Sequence, residues 1–395
     1  MRKLLYNLGQ NKRNPSIKKM LKFLLVSDFW TKEKLQSYKE EKFIELIHFC
    51  FDYNLYYQAY FKREKLLKSD FKSLEDISKL PILEKKDLIE NNKDLHSVYN
   101  FKKVFKATTS GSSGESLEYY RNEAADSFSR AVIQRGYSWY NVHPSDNNGY
   151  FWGFNFSVIQ KIKTKILDFL QNRFRIFSYK EKDLKSFIRK LKTATFIHGY
   201  SSMIYETAKL INKLNYKNIG ELKLIKGTSE KILPVYQEEV QKAFGKKIIS
   251  EYGATESGVV AFECPEGNMH IIEEGVIVEE INNEIIVTNL QLKSFPVIRY
   301  KLGDYIKLSK EKKCKCGRNH QVLEEITGRI GNIIEGFQNN YPSLTLYYIF
   351  KNISKKHRIQ LNYQVIQRKK GSLSFYIKQQ ITKTELQILK TEINK

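Results

Sequence analysis

Apolar, strand-like segments alternate with amphipathic helices through the middle of this chain. Short apolar runs at Thr195–Ile197, Leu222–Ile225 and Lys247–Ser250 have the length of buried strands. Between them, Ser201–Leu214 and Pro234–Phe244 carry apolar side chains at helical spacing, and the second begins with proline. Strands that alternate with helices are typical of a mixed α/β domain. The pattern therefore predicts an α/β fold.

The regions on either side of this alternation have different patterns. The first hundred residues carry helical periodicity, which predicts helices over 32–51 and 53–68. From Gly275 the pattern becomes that of a β-rich subdomain, with strands predicted at 276–280, 284–289, 297–300 and 305–308. After Gly328 a lysine-rich segment combines two strands with two helices, which predicts a small α+β domain at the end of the chain.

Composition excludes several classes of protein. The chain has 395 residues, of which 41% are apolar, with 24 Phe and 25 Tyr, so it is not intrinsically disordered. It contains no run of about 18 uninterrupted apolar residues, the length that a membrane span needs. Residues 1–14 lack the apolar core of a signal peptide, and four cysteines are too few for a disulfide scaffold. A cytoplasmic location is therefore expected.

The chain is strongly basic, with 67 Lys and Arg against 43 Asp and Glu and a net charge of +24. Lysines spread over solvated helix faces explain this best, and a nucleic-acid partner is not expected because no recognition module is apparent. One segment, 161–192, holds eleven basic and three acidic residues among apolar ones, which predicts an amphipathic basic helix pair. Its apolar stripe is expected to pack on the core, by about three to one over contact with anionic lipid. Peripheral membrane association and a homodimer stay open.

A run of hydroxyl side chains surrounds two glycines at Thr108–Ser116. Glycine lets the backbone approach an anion closely, and hydroxyls and amides can donate hydrogen bonds to phosphate oxygens. Such Ser/Gly runs are more often ordinary loops. The run also lacks the Gly-Lys-Ser/Thr ending of a P-loop, so a P-loop NTPase is not predicted.

Three further motifs bear on the interpretation of this loop. They are Ser250–Gly258 (SEYGATESG), Ile298–Asp304 (IRYKLGD) and Ile326–Arg329 (ITGR). In this order and at these separations, the four stretches resemble the core motifs of the adenylate-forming superfamily, which includes the acyl-CoA synthetases.

Within that superfamily the chain resembles most the phenylacetate-CoA ligase family, including its branch found in capsular-polysaccharide loci. The resemblance runs from about Pro81 to Gly331. It is carried by Leu222–Glu230 (LKLIKGTSE), Phe262–His270, Phe295–Asp304 (FPVIRYKLGD) and Cys314–Arg318 (CKCGR).

This resemblance implies the adenylate-forming enzyme fold. Residues 1–328 would form the AMP-binding adenylation domain, which is a large α/β domain with a β-rich subdomain. Residues 329–395 would form a small, mobile α+β domain that is apparently shortened, and the hinge would lie near Gly328–Asn332. Rotation about that hinge would separate two half-reactions.

The resemblance also assigns roles at the nucleotide. A phosphate loop would wrap the β- and γ-phosphates of ATP, and its residues are Thr109, Ser110, Gly111, Ser112, Ser113 and Gly114. Ser229 and Glu230 would line the adenine edge, Tyr252 would stack on the adenine, and Gly253 would lie beside the nucleotide.

The roles nearest the chemistry fall on Thr255 and Glu256, which would act as the catalytic residues. Thr255 would contact the α-phosphate and Glu256 would hold Mg²⁺, since a hard cation prefers a carboxylate oxygen. Asp304 would accept hydrogen bonds from both ribose hydroxyls, and Arg329 would lie by the ribose at the hinge.

The implied activity is that of an AMP-forming acid-thiol ligase. A small-molecule carboxylic acid would react with ATP to give an acyl-adenylate, and CoA or another thiol or amine acceptor would then take the acyl group. Capsule or surface polysaccharide biosynthesis is the implied context. Catalysis would consist of positioning and of neutralising phosphate charge.

The sequence departs from the family in three places. No lysine can be assigned to the Gly-Lys loop that bridges carboxylate and α-phosphate in relatives. Asn332 replaces an acidic hinge residue, and Glu115-Ser116 replaces the usual end of the phosphate loop. A second hypothesis therefore stays open, in which the chain is a catalytically weak nucleotide-binding or scaffold relic of the same fold.

Three cysteines and a histidine form a second constellation, made of Cys264, His270, Cys314 and Cys316. Thiolates and imidazole are the ligands that Zn²⁺ prefers, and four of them complete a tetrahedral structural site. Unpaired buried cysteines are the alternative, and zinc is favoured by about two to one. Cys50, in an apolar helix, is expected in the core.

Aromatic side chains mark the region that shapes the carboxylate pocket in relatives. Trp152, Phe154 and Tyr200 are the candidates for lining it. Aromatic residues in strands belong more often to a core, so both interpretations stay open.

Overall fold

The computed structural model shows a mixed α/β protein built around a large sheet. It describes residues 2–109, 116–152, 158–176, 180–309, 313–329, 334–337, 340–341, 346, 349–350, 353, 356–357, 359, 361 and 363–393. The predicted α/β fold class is confirmed. No helix in these ranges has the length and apolar character needed to cross a bilayer.

Helices dominate the first hundred residues, as predicted. They are α1 (Arg2–Arg13), α2 (Ile17–Ser27), α3 (Lys32–Tyr53), α4 (Leu55–Arg63), α5 (Lys85–Glu90) and α6 (Asn92–Leu95), with 3₁₀ helices at Lys68–Asp70 and Leu74–Lys79. Ser73 precedes the second 3₁₀ helix, and its backbone N–H donates to the Asp76 carboxylate at 2.9 Å, which caps the start of that helix.

The middle of the chain alternates strands and helices. After the hairpin β1 (Val104–Thr108) and β2 (Glu118–Asn122) come α7 (Glu123–Ser138), β3 (Asn148–Phe151), α8 (Val158–Leu170), β4 (Arg173–Ile176), α9 (Glu181–Lys190), a 3₁₀ turn (Leu191–Thr193), β5 (Phe196–Tyr200), α10 (Ser201–Lys213), β6 (Leu224–Thr228), α11 (Pro234–Phe244) and β7 (Ile249–Ala254).

Strands prevail from residue 258 onward. They are β8 (Gly258–Glu263), β9 (Met269–Ile271), β10 (Val276–Ile281), β11 (Glu284–Asn289), β12 (Tyr300–Leu308), β13 (Val322–Arg329), β14 (Ile334–Glu335), β15 (Asn340–Tyr341), β16 (Tyr363–Lys369) and β17 (Ser372–Ile377), and they are followed by α12 (Lys383–Ile393).

One sheet joins eleven of these strands in the order β10-β11-β12-β13-β9-β8-β7-β6-β5-β3-β4. The five from β7 to β4 are parallel, and pairing becomes antiparallel between β7 and β8. Strand β7 is therefore the border between an α/β half and a β-rich half. Helices α9, α10 and α11 pack on one face of the parallel half, around buried Phe151, Ile197 and Ile225.

The strand predicted at 297–300 is wrong, because the backbone turns at Arg299. This residue has a left-handed φ of 50°, its N–H donates to Thr288 Oγ1 at 2.9 Å, and its guanidinium forms a bidentate pair with Glu279. Its carbonyl accepts the Leu83 N–H at 3.0 Å. The strand begins only at Tyr300 and runs to Leu308, with a shift in its pairing to β11 between Lys301 and Tyr305, where Gly303 has a left-handed φ of 78°.

The basic segment 161–192 contains the predicted helix pair, α8 and α9, with strand β4 between them. The apolar side chains Leu184, Phe187 and Ile188 of α9 are buried as expected, but the expectation is wrong for α8, whose apolar stripe is exposed. The side of α8 that faces the protein carries Asp168, which pairs with Arg175 of β4 at 2.7 Å. Because this face of the sheet carries Arg175, the side of α8 that packs on it bears a carboxylate and not an apolar side chain.

The chain divides into two compact units. The larger takes in Met1–Thr109 and Leu117–Ile326, and the smaller takes in Thr327–Lys395 together with Ser110–Ser116. The smaller unit has its own core, in which Phe350 stacks on Tyr363 with ring centroids 3.6 Å apart beside buried Leu389. The predicted boundary between residues 328 and 329 stays a prediction.

A buried network of charges lies inside the larger unit. The Arg135 guanidinium of α7 donates to Glu274 at 2.6 Å, and His320 Nε2 lies 3.0 Å from the same carboxylate. Arg318 donates to Asp28 at 2.9 Å, and Arg135 Nε lies 3.6 Å from Asp28. Burial alone would raise the pKa of Glu274, but Arg135 and His320 more than offset it, so this pKa lies well below its usual range.

Replacing Arg135 by methionine should destabilise the protein by about 3–5 kcal/mol, because it leaves the buried Glu274 carboxylate short of its main cation. Urea unfolding followed by tryptophan fluorescence measures the loss. The matched control is Arg130→Met on the same helix, where the side chain is partly exposed and the expected cost is below about 1 kcal/mol. Equal unfolding midpoints for the two variants would contradict the role of the network.

Candidate functional site

The residues predicted to bind the nucleotide gather at the carboxyl end of β7. Tyr252 and Gly253 lie on this strand, and Thr255 and Glu256 follow it directly. Ser229 and Glu230 follow β6, its parallel neighbour, and so lie at the same edge of the sheet. The carboxyl ends of parallel strands are where open α/β sheets bind their ligands.

Asp304 reaches this edge from a distant strand. Tyr252 donates its hydroxyl hydrogen bond to Asp304 Oδ2 at 2.7 Å. Strand β12, which carries Asp304, stands four places from β7, and in a flat sheet this separation would be about 19 Å. The β-rich half of the sheet must therefore curl back, and its curvature brings two motifs 52 residues apart into contact.

Glu256 is buried beside the same curled strand. Its Oε1 lies 3.4 Å from the Tyr300 hydroxyl at the start of β12, a distance at the outer limit of a hydrogen bond. The loop that carries it is fixed by Asn289, which donates to the Ser257 carbonyl at 3.0 Å, and by the Ala254 N–H, which donates to Ser257 Oγ at 3.0 Å. These bonds fix the backbone of the loop and so position the Glu256 carboxylate.

Two residues that the sequence analysis did not single out attach the phosphate-loop hairpin to Thr255. Arg121 of β2 donates to the Thr255 carbonyl at 2.8 Å, and the Tyr119 hydroxyl donates to the same oxygen. Both side chains come from the strand that pairs with β1. No local motif marks them, because their partner lies more than 130 residues away along the chain.

Thr109 closes the base of the predicted phosphate loop. Its N–H donates to the Leu117 carbonyl at 2.9 Å, and the Leu117 N–H donates to Thr109 Oγ1 at 2.9 Å. Residues Ser110 to Gly114 lie outside the described residues, as do Phe154 and the side chain of Arg329. Their predicted roles stay predictions.

Ser229 and Glu230 form a tight turn at the end of β6. Ser229 has a left-handed φ of 65° and an exposed side chain. The Glu230 carboxylate accepts the Ser202 N–H at 2.8 Å at the start of α10, a favourable place for negative charge. This bond fixes the segment that was predicted to line the adenine.

Aromatic side chains stack where the winding of the parallel sheet reverses. The chain moves outward from β3 to β4 and then returns across β3 to β5, so the reversal lies between β3 and β5. Trp152 and Tyr200 stand at the carboxyl ends of these two strands, stacked at 4.4 Å and 7° between ring planes. This reversal point is the usual crevice for a ligand in such sheets.

A polar row lies behind this stack on the same face of the sheet. His198 stacks on Tyr150 at 4.3 Å, and burial together with Arg173, Lys226 and Arg175 holds the pKa of His198 well below its usual range. Burial also lowers the pKa of Lys226, but the Glu251 carboxylate more than offsets this, so that pKa is raised. The row therefore holds a neutral imidazole among cations at neutral pH.

The predicted zinc residues come together from two turns, which carry Cys264 and the pair Cys314 and Cys316, and from strand β9, which carries His270. One ligand atom from each of Cys264, His270, Cys314 and Cys316 lies within 4.8 Å of the others. The Cys264 and Cys314 sulfurs are 3.6 Å apart, and Cys316 Sγ is 3.3 Å from His270 Nε2. Tetrahedral zinc places sulfur ligands about 3.8 Å apart, so the donor set and its spacing fit the ion.

The surroundings of the cluster orient its ligands. His270 Nδ1 lies 3.2 Å from the His320 carbonyl, which can only accept, so Nε2 is left to face the sulfurs. Asn268 Nδ2 and the Cys316 N–H approach Cys314 Sγ at 3.1 and 3.5 Å. Burial lowers the pKa of His270 to about 4, which keeps its ring neutral near pH 7.

Comparison with known proteins shows the same fold elsewhere, although no family model matches the chain. Protein CapK of Staphylococcus aureus is 25% identical over 316 residues, which is 75% of this chain and 68% of CapK.

Two solved structures of 2-hydroxyisobutyryl-CoA ligase superpose on the chain at 16% identity. The postadenylation state in complex with R3-HIB-AMP has a TM-score of 0.64, covering 89% of this chain and 79% of that one. An open conformation in complex with 2-HIB-AMP and CoA has a TM-score of 0.62 and covers 93% and 90%. The chain therefore has the adenylate-forming enzyme fold, which it shares with the 2-hydroxyisobutyryl-CoA ligase.

Proposed function

We propose that this protein is an AMP-forming carboxylate ligase, which activates an aryl or acyl acid with ATP and passes the acyl group to CoA or to another thiol or amine. The observation that carries the proposal is the 2.7 Å hydrogen bond between Tyr252 and Asp304. It unites two motifs that would otherwise lie on distant strands, at the sheet edge where Thr255 and Glu256 also lie. The contact between these two motifs supports a single nucleotide site at this edge.

In this proposal the ribose and adenine lie over β7. Asp304 would accept hydrogen bonds from the ribose hydroxyls, and the Tyr252 bond fixes the carboxylate for that task. The Tyr252 ring would stack on the adenine, whose edge would face the turn at Ser229 and Glu230. Gly253 would lie beside the nucleotide, and the fold itself requires glycine there, because a Cβ would lie 2.2 Å from the Gly258 carbonyl oxygen.

The phosphates would extend from Thr255 toward the loop that Thr109 closes. Within the described part of the chain the buried Glu256 carboxylate forms no ion pair, and a buried carboxylate is costly without an opposite charge. Mg²⁺ arriving with ATP fits this donor, and it would neutralise phosphate charge when bound. Thr255 would contact the α-phosphate, with its backbone fixed by Tyr119 and Arg121.

The chemistry consists of two transfers. The substrate carboxylate oxygen forms a bond to the α-phosphorus of ATP while the bond to pyrophosphate breaks, which gives the acyl-adenylate. The acceptor thiol or amine then attacks the acyl carbonyl, loses its proton, and releases AMP. The residues of this chain bind and orient the reactants, and no protein nucleophile takes part.

The acid would enter the crevice at the Trp152–Tyr200 stack, at the reversal point of the sheet. CoA as acceptor is supported by its presence in an open structure of the 2-hydroxyisobutyryl-CoA ligase. A place in capsule or surface polysaccharide biosynthesis is supported by the similarity to CapK. The relic hypothesis predicts the same fold, so turnover is what distinguishes it from the enzyme.

Asp304→Ala should weaken Mg·ATP binding by about ten- to a hundredfold, since it removes the charged acceptor for two hydroxyls. Titration calorimetry measures the binding. Asp52→Ala is the matched control, because that carboxylate pairs with Lys68 at the surface. The Asp52→Ala variant should bind Mg·ATP as tightly as the wild type. Equal binding by Asp304→Ala would place the nucleotide elsewhere.

Pyrophosphate should be released when the protein is given ATP and its acid, and a panel of aryl and acyl acids tests this. Glu256→Gln keeps the side-chain volume but removes its charge, and it should lower turnover by about 10²–10³. A folded protein that binds ATP but releases no pyrophosphate across a broad panel would contradict the ligase and favour the relic.

We also propose that the Cys/His cluster holds a structural zinc ion. The fit rests on three sulfurs and one imidazole nitrogen at tetrahedral spacing, with the His270 proton directed away from the cluster. The ion would join the turn at Cys264 to the turn at Cys314. Glycine completes each turn with a left-handed φ, 75° at Gly267 and 81° at Gly317.

Purified protein should therefore contain about one zinc ion per chain by mass spectrometry of the metals. Cys314→Ser should lose the zinc and unfold at a lower temperature, and a strong chelator should lower the melting temperature of the wild type in the same way. Cys50→Ala, outside the cluster, should keep its zinc even if its core is weakened. Zinc-free wild-type protein with an unchanged melting temperature would overturn the site.

A further inference from the structure

The outward face of α8 is apolar and exposed. Ile162, Ile166 and Phe169 recur at helical spacing and keep 57%, 59% and 68% of their surfaces accessible, and Leu167 and Leu170 flank them. Asp168 lies on the opposite side of the helix, where it is buried against β4. The exposed side chains therefore face directly away from the protein.

Helix α1 extends this apolar surface. Leu4, Leu5 and Leu8 are 63%, 45% and 57% exposed, on the side of α1 opposite to the partly buried Tyr6 and Gln10. The two helices touch, because the Arg2 guanidinium lies 5.5 Å from the centre of the Phe169 ring and donates to the Asn172 side chain. We call the outward faces of these two helices the α1–α8 surface.

The charge around these apolar residues is positive. Helix α1 carries Arg2, Lys3, Lys12 and Arg13 and no acidic residue. On α8, Lys163 and Lys165 are exposed, while the one acidic residue, Asp168, is neutralised inside by Arg175. A contiguous apolar face framed by cations is the pattern of a helix that lies in the interface of an anionic bilayer.

We propose that the α1–α8 surface binds the surface of an anionic phospholipid membrane. The leucine, isoleucine and phenylalanine side chains insert among the acyl chains, and the lysines and arginines meet the phosphate headgroups. A second copy of the chain is a less favourable partner for this surface, because pairing two such surfaces would bring their positive charges together. The proposal does not depend on the ligase activity, since it concerns helices that contribute no nucleotide ligand.

Vesicle co-sedimentation tests the proposal with the full chain and without ATP. We expect binding to vesicles of equal parts phosphatidylcholine and phosphatidylglycerol, little binding to pure phosphatidylcholine, and weaker binding as salt is raised. Absence of binding to the anionic vesicles, or equal binding to both kinds, would overturn the proposal.

Two pairs of variants separate the apolar from the ionic contribution. Ile166→Ser with Phe169→Ser should reduce vesicle partitioning by about tenfold or more, and so should Lys163→Gln with Lys165→Gln. The matched controls are Leu67→Ser with Val98→Ser, which are as exposed elsewhere on the same unit, and Lys242→Gln with Lys247→Gln near α11. Controls should bind as the wild type does.

All of these side chains are exposed, so each variant should keep the wild-type circular dichroism and melting temperature. Light scattering after size exclusion, run on the same samples, tests the competing occupant. If the wild type is a dimer that Ile166→Ser with Phe169→Ser converts to a monomer, the surface belongs to a second copy and the membrane proposal fails. Equal loss of vesicle binding in the control pairs would also defeat it.

Discussion

The buried pairing of Arg135 with Glu274 joins parts of the chain that lie far apart in the sequence, beside the apolar core that the same elements share. Arg135 comes from α7, and Glu274 lies just before β10. Through Asp28 and Arg318 the same network reaches the end of α2 and the loop that carries Cys314 and Cys316 of the proposed zinc site. Because each charge is buried, removing one leaves its partner short of opposite charge in a medium of low polarity. The network therefore fixes the relative positions of the amino-terminal helices, the sheet and the cysteine cluster.

Curvature of the sheet then decides where the residues of the proposed nucleotide site meet. Parallel strands from β3 to β7 place several candidate residues at one edge, but they supply no group for the ribose. The antiparallel half returns over that edge, so that Tyr300 approaches Glu256 and Asp304 meets Tyr252. The left-handed turn at Arg299 sets where β12 begins and thus which residues reach the edge. A site of this kind depends on topology more than on local sequence.

The sequence predicted the parts of this structure that have local causes. The α/β alternation, the helix Pro234–Phe244 and the strand Glu284–Asn289 follow from hydrophobic period and turn residues, and the structure confirms them. Tyr119 and Arg121 escaped notice because their partner is distant in the chain. The strand predicted at 297–300 failed because long-range bonds to Leu83 and Glu279 override strand propensity.

The exposure of α8 follows from the sheet beneath it. That face carries Arg173, Arg175 and Lys226 beside the neutral His198, so a helix that covers it must offer acceptors. Asp168 meets this need by pairing with Arg175, whose Nη1 also lies 3.4 Å from the Trp152 carbonyl. With a polar inner side, an amphipathic helix can only direct its apolar side outward. The pairing of Asp168 with Arg175 thus fixes which side of α8 faces the sheet, and it leaves isoleucine and phenylalanine on the exposed side.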